Sequence, residues 1–396
     1  MVKACDKLDR LCELLRQFNL IPSRSAYELG SAHFYLNVNQ FFPEEFLDQL
    51  DLINRGVVPR EFKDMAEPLP DVISKMIRSE SSLEVDPKRI ISYRGSTRDC
   101  LDYVIDSIIG GTDRTLSFSL PNWHFWHLND YRSKDYDLDL FEALNEEQLV
   151  DEFKRRANKG NIGVLILSDP NTPLMYRLSP EALKEIDEIA LKNGVEIVVD
   201  DVLRGIQPLG ERESIAKHLT RPYVVEGFSK RFGENSPLAV DTSYVVVPEG
   251  VEFIETNCED DSGSCHLVTG GIIKASLSYL SEPIMAEYLR RNEAFDSGFA
   301  YSFDISAKLI RPSSTHITSI IELPPNIEGF DFCNIMYKQG VNIFPIQRFY
   351  PEYNRAEIPQ NIRNLIRVSV GQGDSSSLFK VGRMINEGIF KLGYSF

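Results

Sequence analysis

The sequence lacks a long apolar run and close cysteine pairs, and it has fewer basic than acidic side chains. No uninterrupted apolar stretch approaches the roughly 20 residues that cross a bilayer. The N-terminus turns acidic at Asp6, where a secretory leader would carry an apolar segment. These absences predict a protein that neither spans a membrane nor enters the secretory route.

The six cysteines are scattered from Cys5 to Cys333, and no two form a C-x-x-C pair. The spacing therefore indicates neither a metal site nor a disulfide framework, and it favours a reducing cytoplasm.

Because there are 59 acidic and 43 basic side chains, the formal net charge is −16. That charge would repel nucleic acid and an anionic membrane at long range, which leaves a small molecule as the expected partner.

The composition is that of a globular protein, with 42% hydrophobic and 26% charged residues. A length of 396 residues predicts two domains. Apolar residues at helical spacing predict an amphipathic helix over residues 6–18. No internal repeat or low-complexity tract interrupts the chain.

From about residue 89, short apolar runs alternate with helical patterns. We expect strands at 89–93, 115–118, 163–168, 195–200, 222–227 and 243–247. Between two of these lies a helix that begins at Pro180 behind the N-cap Ser179 and ends before Gly194. Apolar strands separated by helices predict an α/β fold, with a mostly parallel sheet flanked by helices.

A long helix over about 270–300 is expected to lead into a smaller α+β domain. That domain would contain strands at 319–323, 341–344 and 365–369 and a last helix at 376–392. We therefore predict a large domain of residues 46–285 and a small domain formed by 1–45 plus 286–396.

Chemically useful side chains follow the predicted strands, where ligands bind in sheets of this kind. Gly95-Ser96-Thr97 opens a helix and forms a plausible phosphate cradle, although Ser and Thr are also ordinary N-caps. Trp123 offers a flat platform for an aromatic ligand or packs in a core. Asn171 either donates to a ligand or makes an Asx turn.

Asp200 and Lys230 complete this set. A buried carboxylate such as Asp200 needs a cationic partner or hydrogen-bond donors, whereas its neighbour Asp201 can stay solvated. Lys230 follows a strand directly and is either a surface lysine or a desolvated nucleophile. Asn171, Asp200 and Lys230 lie about thirty residues apart, one strand–helix–strand unit each, so they should converge on one edge of one sheet.

At this point the sequence resembles the class I/II aminotransferases, which are fold-type I pyridoxal-phosphate enzymes with the aspartate-aminotransferase fold. The resemblance spans about residues 85–375. The matching pieces are Gly95-Ser96-Thr97, Trp123, Asp169-Pro170-Asn171-Thr172-Pro173, Asp200-Asp201, Phe228-Ser229-Lys230-Arg231-Phe232-Gly233 and Leu365-Ile366-Arg367-Val368-Ser369.

The resemblance implies a role for each matching residue. Lys230 would form the Schiff base with pyridoxal 5′-phosphate and shuttle the α-proton. Asp200 would pair with the pyridine nitrogen, Asn171 would bind the phenolic oxygen and Trp123 would stack on the ring. Arg367 would grip the substrate α-carboxylate, unless it is a surface arginine beside Arg363. The remaining cofactor contacts would come from the phosphate residues Gly95, Ser96 and Thr97 and from Ser229, which precedes the lysine.

Three positions depart from the family pattern. Leu203 stands where a tyrosine usually donates to the phenolic oxygen, Leu238 replaces the usual phosphate arginine, and Gly227 replaces a hydroxyl residue. Phosphate binding is thus short of two expected contacts. The residues that would compensate are Arg204, Arg231 or Asn235.

The resemblance implies an aminotransferase that moves an amino group from an amino acid to a 2-oxo acid, in a cytoplasmic homodimer. Another pyridoxal-phosphate reaction, such as decarboxylation, elimination or oxidation, stays open, as does a non-catalytic relative. Phe62 falls near the stretch where the second subunit usually supplies a tyrosine. Candidates for the substrate side-chain pocket are His124, Trp126, His127 and Arg204.

Overall fold

A computed structural model describes residues 27–28, 48, 67–81, 83–110, 113–124, 128–160, 162–208, 211–232, 242–251, 263–301, 306–314, 316–350 and 358–393. Several sequence predictions lie outside these residues: the helix at 6–18, Phe62, Trp126, His127, Asn235 and Leu238.

The structure contains a strand or helix near each position predicted within the described residues, together with several elements that the sequence did not predict. The strands are β1 Tyr27–Glu28, β2 Ile90–Arg94, β3 Leu116–Leu120, β4 Leu138–Glu142, β5 Val164–Ser168, β6 Glu196–Asp200, β7 Pro222–Gly227, β8 Thr242–Val246, β9 Lys308–Ile310, β10 Thr318–Glu322, β11 Val341–Asn342, β12 Phe344–Pro345 and β13 Leu365–Ser369. The α-helices are α1 Leu69–Ser81, α2 Thr97–Ile109, α3 Leu128–Ser133, α4 Glu146–Ala157, α5 Pro180–Asn193, α6 Ser229–Phe232, α7 Gly263–Phe299, α8 Gly329–Lys338, α9 Gln360–Arg363 and α10 Ser375–Gly393.

Seven strands form one large sheet in the order β2-β8-β7-β6-β5-β3-β4. β8 runs antiparallel to both of its neighbours, and the other six strands point the same way. Side chains alternate between two apolar clusters along β5, with Leu165 and Leu167 on one face and Val164 and Ile166 on the other. Burial of both faces explains the continuous apolar runs, and the predicted mostly parallel α/β sheet is confirmed.

Local signals set the helix ends as expected. The Ser179 hydroxyl accepts a hydrogen bond from the Ala182 amide at 3.2 Å, and Pro180 occupies the first turn of α5. Gly194 ends this helix with a left-handed φ of 67°, a conformation that glycine adopts without steric cost. Among the described helices, none is long and apolar enough to cross a bilayer.

A smaller antiparallel sheet has the order β12-β13-β10-β9, which confirms the predicted α+β region. The prediction of one strand over 341–344 is wrong, because β11 pairs with β1 whereas β12 pairs with β13. Helices α7 and α10 pack closely, since a Cβ on Gly382 would lie 2.4 Å from the Phe295 carbonyl oxygen. The predicted domain boundary at residue 285 falls inside α7 and stays a prediction.

Candidate active site

Five predicted residues meet along one edge of the large sheet. Because six of its strands are parallel, their carboxyl ends share an edge, which we call the site edge. Gly95 follows β2, Trp123 follows β3, Asn171 follows β5, Asp200 ends β6 and Lys230 follows β7. The predicted convergence of the strand-end residues is therefore present in the fold.

Asp200 is braced by a histidine that follows β3. The Nε2 atom of His124 lies 3.3 Å from Asp200 Oδ2 and 3.3 Å from the hydroxyl of Ser168. Ser168 ends β5 in register with Asp200, and Asp200 Oδ1 accepts a hydrogen bond from the Val202 amide at 3.3 Å. His124 is 1% exposed. It therefore supports Asp200, and its predicted place in a substrate side-chain pocket is not supported.

The turn after β5 has a fixed backbone. Asn171 donates its amide to the Tyr176 carbonyl at 2.9 Å and accepts from the Met175 amide at 2.6 Å, while the Trp123 amide donates to the Thr172 carbonyl at 2.9 Å. The Asn171 side chain is buried, yet its Oδ1 has no hydrogen-bond partner among the described residues. A buried polar atom without a partner is uncommon and is typical of ligand sites.

Arg367 reaches the site edge from the smaller sheet. Its side chain is fully buried on β13, so the alternative of a surface arginine is wrong. Its guanidinium carbon lies 4.9 Å from the centre of the Phe349 ring and 6.0 Å from that of Trp123. Trp123 itself is 38% exposed. A buried cation beside an exposed aromatic face suits an anionic group on a flat ligand.

Lys230 lies in the short helix α6, one residue after Ser229, and both are partly buried. The hydroxyl of the fully buried Tyr288, from α7, donates to the Lys230 carbonyl at 3.1 Å. The rings of Phe228 and Phe232 stack at 5.7 Å on the two sides of the lysine in sequence. The backbone around Lys230, which we call the lysine turn, is thus held by a hydrogen bond from α7 and by the packing of these two rings.

The predicted phosphate cradle has the structure of a helix N-cap. The Ser96 amide and hydroxyl both donate to Asp99 Oδ2, at 3.0 and 2.7 Å, and the Asp99 amide donates back to the Ser96 hydroxyl at 3.2 Å. This reciprocal capping box starts α2. Gly95 has a φ of 151°, and a Cβ on it would lie 2.8 Å from the Tyr93 ring. The capping interpretation is observed, and the phosphate role stays a prediction.

The departure at Gly227 has a structural explanation. A Cβ on Gly227 would lie 2.1 Å from the Thr97 hydroxyl oxygen. The hydroxyl of Thr97 therefore occupies the space that a side chain at residue 227 would need. This oxygen is buried and has no hydrogen-bond partner among the described residues. Leu203 is buried in an apolar cluster.

A buried charge cluster lies directly beneath the site edge. The side chain of Asp201, expected to stay solvated, is 2% exposed, and its Oδ2 lies 3.1 Å from Arg204 Nε. Arg204 and Arg231, expected to compensate for the missing phosphate arginine, are instead buried and paired with carboxylates, and the predicted place of Arg204 in a substrate pocket is not supported. The charge cluster comprises Glu80, Asp201, Arg204, Arg212, Glu226 and Arg231. Sequence reasoning missed Glu226, although a glutamate inside an apolar strand is itself a signal.

Burial and charge act in opposite directions on the pKa values in this cluster. Burial alone would raise the pKa of Glu80, but Arg231, Arg204 and Arg212 outweigh it and lower that pKa to about 2. Burial raises the pKa of Asp201 to about 7, because Arg204 offsets only part of the burial effect and Glu226 adds repulsion.

A cavity of about 480 Å³ lies away from these residues. It opens where α2 ends and β3 and β4 begin, which is the opposite edge of the large sheet, and Arg114 and Lys134 are among its lining residues. This cavity is therefore not part of the candidate site.

Solved structures resemble this chain over most of its length. A single mutant of the aspartate aminotransferase from Thermus thermophilus is 16% identical, covers 96% of this chain and 95% of its own, and has a TM-score of 0.69. The chain has the aspartate-aminotransferase fold. The pyridoxal-phosphate-bound C-S lyase from Staphylococcus hominis has the same TM-score at 14% identity, with 94% and 90% covered. Aminotransferase AspB from Helicobacter pylori gives 0.67 at 15% identity, with 98% of both chains covered.

No family model and no curated protein matches the sequence. At this level of identity the likeness concerns the fold alone. The aspartate-aminotransferase fold accounts for the meeting of Asp200, Lys230 and Asn171 on one sheet edge, and their chemical roles have to be argued from the residues themselves.

Proposed function

We propose that this chain is a pyridoxal-phosphate-dependent aminotransferase that moves an amino group from an amino acid to a 2-oxo acid, with Lys230 as the residue that carries the cofactor. The observation that supports this most is the meeting of Asp200, Asn171 and Lys230 on one sheet edge, facing the buried Arg367. A carboxylate, an amide, an amine and a guanidinium in this arrangement match the polar groups of the cofactor and of an amino acid.

The residues present fit pyridoxal phosphate. Asn171 Oδ1 and the Thr97 hydroxyl are buried without hydrogen-bond partners among the described residues, so the first can accept a hydrogen bond from a ligand and the second can accept or donate one. Asp200, held by His124, would pair with the protonated ring nitrogen. Trp123 would cover one face of the ring, and Gly95, Ser96, Thr97 and Ser229 would contact the phosphate.

Bound pyridoxal phosphate would act as a sink for the electron pair released at the substrate Cα. Arg367 would bind the substrate α-carboxylate in a buried, bidentate manner and so fix the orientation of Cα. The amine of Lys230 would then take the proton from Cα and deliver it to the carbon that carried the aldehyde of the cofactor. The negative charge of Asp200, braced by His124 Nε2 at 3.3 Å, would keep the ring nitrogen protonated throughout.

The partners follow from this proposal: an amino acid, a 2-oxo acid and a second copy of the chain. The homodimer and the cytoplasmic location are implied by the family resemblance and stay predictions. A different pyridoxal-phosphate reaction is the second candidate, because the chain is as similar to a C-S lyase as to an aspartate aminotransferase. A non-catalytic role is disfavoured, since such a protein needs neither a lysine nor a buried arginine at this edge.

The test is the absorption spectrum of the purified protein with pyridoxal phosphate, before and after borohydride, followed by peptide mapping. We expect a yellow band that reduction fixes onto Lys230, and no such band in Lys230→Arg. An unmodified Lys230 would refute the proposal. Adding an amino acid alone then separates the reactions: an aminotransferase converts the cofactor to the pyridoxamine form and stops, whereas a lyase or decarboxylase restores the original spectrum and releases product.

A further inference from the structure

The charge cluster joins the two chain segments that carry Asp200 and Lys230. Arg204 lies four residues after Asp200, and Arg231 comes directly after Lys230. Glu226 Oε1 accepts a hydrogen bond from Arg231 Nη2 at 2.8 Å, and its Oε2 pairs with Arg204 Nη2. One carboxylate on β7 therefore bridges both segments.

Glu80 makes a second bridge between the same two arginines. Its Oε2 accepts from Arg231 Nη2 at 3.0 Å and from Arg204 Nη1 at 3.1 Å, and its Oε1 pairs with Arg231 Nη1. Its side chain, in the last turn of α1, is 6% exposed. Arg212 donates to Glu80 Oε1 at 2.6 Å and so holds the carboxylate in place.

The cluster is also packed tightly. A Cβ on Gly205 would lie 2.9 Å from Arg231 Nε, so the absence of a side chain at Gly205 lets the guanidinium pack against this turn. Tyr244, fully buried on β8, donates its hydroxyl to Glu226 and accepts from Arg204 Nη2 at 3.3 Å. Buried pairs with several hydrogen bonds hold geometry well, because any displacement leaves a charge unpaired in a low dielectric.

We propose that Glu80 and Glu226 are positioning residues: by bridging Arg204 and Arg231, they set the distance between Asp200 and Lys230. This inference rests on the proposed function, in which Asp200 binds the ring nitrogen and Lys230 reacts with the aldehyde at the opposite side of the ring. A lysine displaced by about 1 Å from its reaction partner can lose on the order of a hundredfold in rate.

The experiment separates binding at Asp200 from capture by Lys230. Pyridoxine 5′-phosphate has an alcohol where pyridoxal phosphate has the aldehyde, so it reports ring and phosphate binding without the lysine. The rate at which the yellow band forms with pyridoxal phosphate reports the position of Lys230. Both are measured in wild type, Glu226→Gln and Tyr244→Phe. The last variant loses one hydroxyl and no charge, so it tests geometry separately from charge and is expected to fold.

We expect both variants to bind pyridoxine phosphate within about twofold of wild type and to capture pyridoxal phosphate about ten- to a hundredfold more slowly. Glu152→Gln is the matched control, because Glu152 also pairs with two arginines, on the outer helix α4, and its capture rate should equal that of wild type. A capture rate that is unchanged in both variants, or a parallel fall in binding and capture, overturns the positioning role. If wild type binds neither compound, the proposed function fails and this inference fails with it.

Discussion

The two ends of the candidate site are built differently. The end that the proposed function assigns to the cofactor ring, here called the ring end, has His124 beside Asp200 and a lysine turn held by Tyr288 and the charge cluster. At the end that it assigns to the phosphate, here called the phosphate end, the donors of Ser96 are already bonded to the carboxylate of Asp99. Among the described side chains, no lysine or arginine forms an ion pair with Asp99.

This difference shows where the chain uses its nearby arginines. Arg204 and Arg231, the cations close to the site edge in sequence, pair with the buried Glu226. Sequence comparison alone counts the arginine missing at Leu238 as a defect of binding. On the proposed function, the ring end is instead held by buried ion pairs and the phosphate end has few cations, and the predictions below test this contrast.

The largest effect is expected at the ring end for Arg231→Met. This change leaves Glu80 and Glu226 charged and buried with one cation fewer. We expect the free energy of unfolding to fall by about 3–5 kcal/mol, as measured by urea unfolding of the cofactor-free protein. Arg155→Met, which removes a half-exposed partner of Glu152, should change it by less than about 0.5 kcal/mol. A loss below about 1 kcal/mol for Arg231→Met would show that the buried ion pairs do not hold the ring end.

A pH-dependent effect is expected from Asp201. Burial raises its pKa to about 7 in the folded protein, against about 3.9 in an unfolded chain. The folded state thus binds the proton more tightly, so this stabilisation is full below about pH 4 and is lost as the pH rises to about 7. The stability of wild type relative to Asp201→Asn should fall across that window, by at most about 1.4 kcal/mol per pH unit.

Glu67→Gln provides a comparison of opposite sign. Hydrogen bonds from Lys274 and then Lys75 lower the pKa of Glu67. Its stabilisation is therefore present above the unfolded pKa of about 4.3 and is lost as the pH falls. Unfolding midpoints in urea from about pH 3 to 8 cover the windows of both variants. A flat difference between wild type and Asp201→Asn would show that Asp201 stays ionised in the folded protein.

Much of the large sheet could be predicted from the sequence, because its signals are local. The apolar run over 222–227 has the bounds of β7, and Ser179, Pro180 and Gly194 mark the ends of α5 where the structure has them. The meeting of Asn171, Asp200 and Lys230 on one edge followed from the parallel strand order alone.

The contacts between distant residues could not be predicted in this way. Asp201 looked free to stay solvated, because its partner Arg204 belongs to a cluster that is completed by Glu226 and by Glu80, more than a hundred residues earlier in the chain. His124 looked like a pocket residue in the sequence. Its contact with Asp200 depends on the pairing of β5 with β6, which places Ser168 beside Asp200 and both side chains within reach of the imidazole. A single sequence contains no signal for such pairings.

The smallest effect is expected at the phosphate end for Asp99→Asn. The amide keeps an oxygen that can accept from the Ser96 amide, so the cap of α2 survives, but the negative charge beside the phosphate is removed. Repulsion of a doubly charged phosphate by a carboxylate about 5 Å away corresponds to roughly tenfold in affinity in water. We therefore expect Asp99→Asn to bind pyridoxal phosphate about tenfold more tightly, measured by titration of the yellow band.

Pyridoxal, which lacks the phosphate, separates this electrostatic effect from a general change in the site. Its affinity should be the same in wild type and Asp99→Asn, because it lacks the phosphate charge that Asp99 would repel. Asp374→Asn is the matched control, since Asp374 caps α10 through a 2.7 Å bond from the Ser377 amide, and it should alter the affinity for neither compound. An equal gain for both compounds in Asp99→Asn would mean that Asp99 acts on the fold of the turn. No gain for either would mean that the phosphate lies away from Ser96. Other residues would then form the phosphate end, and its comparison with the ring end would change.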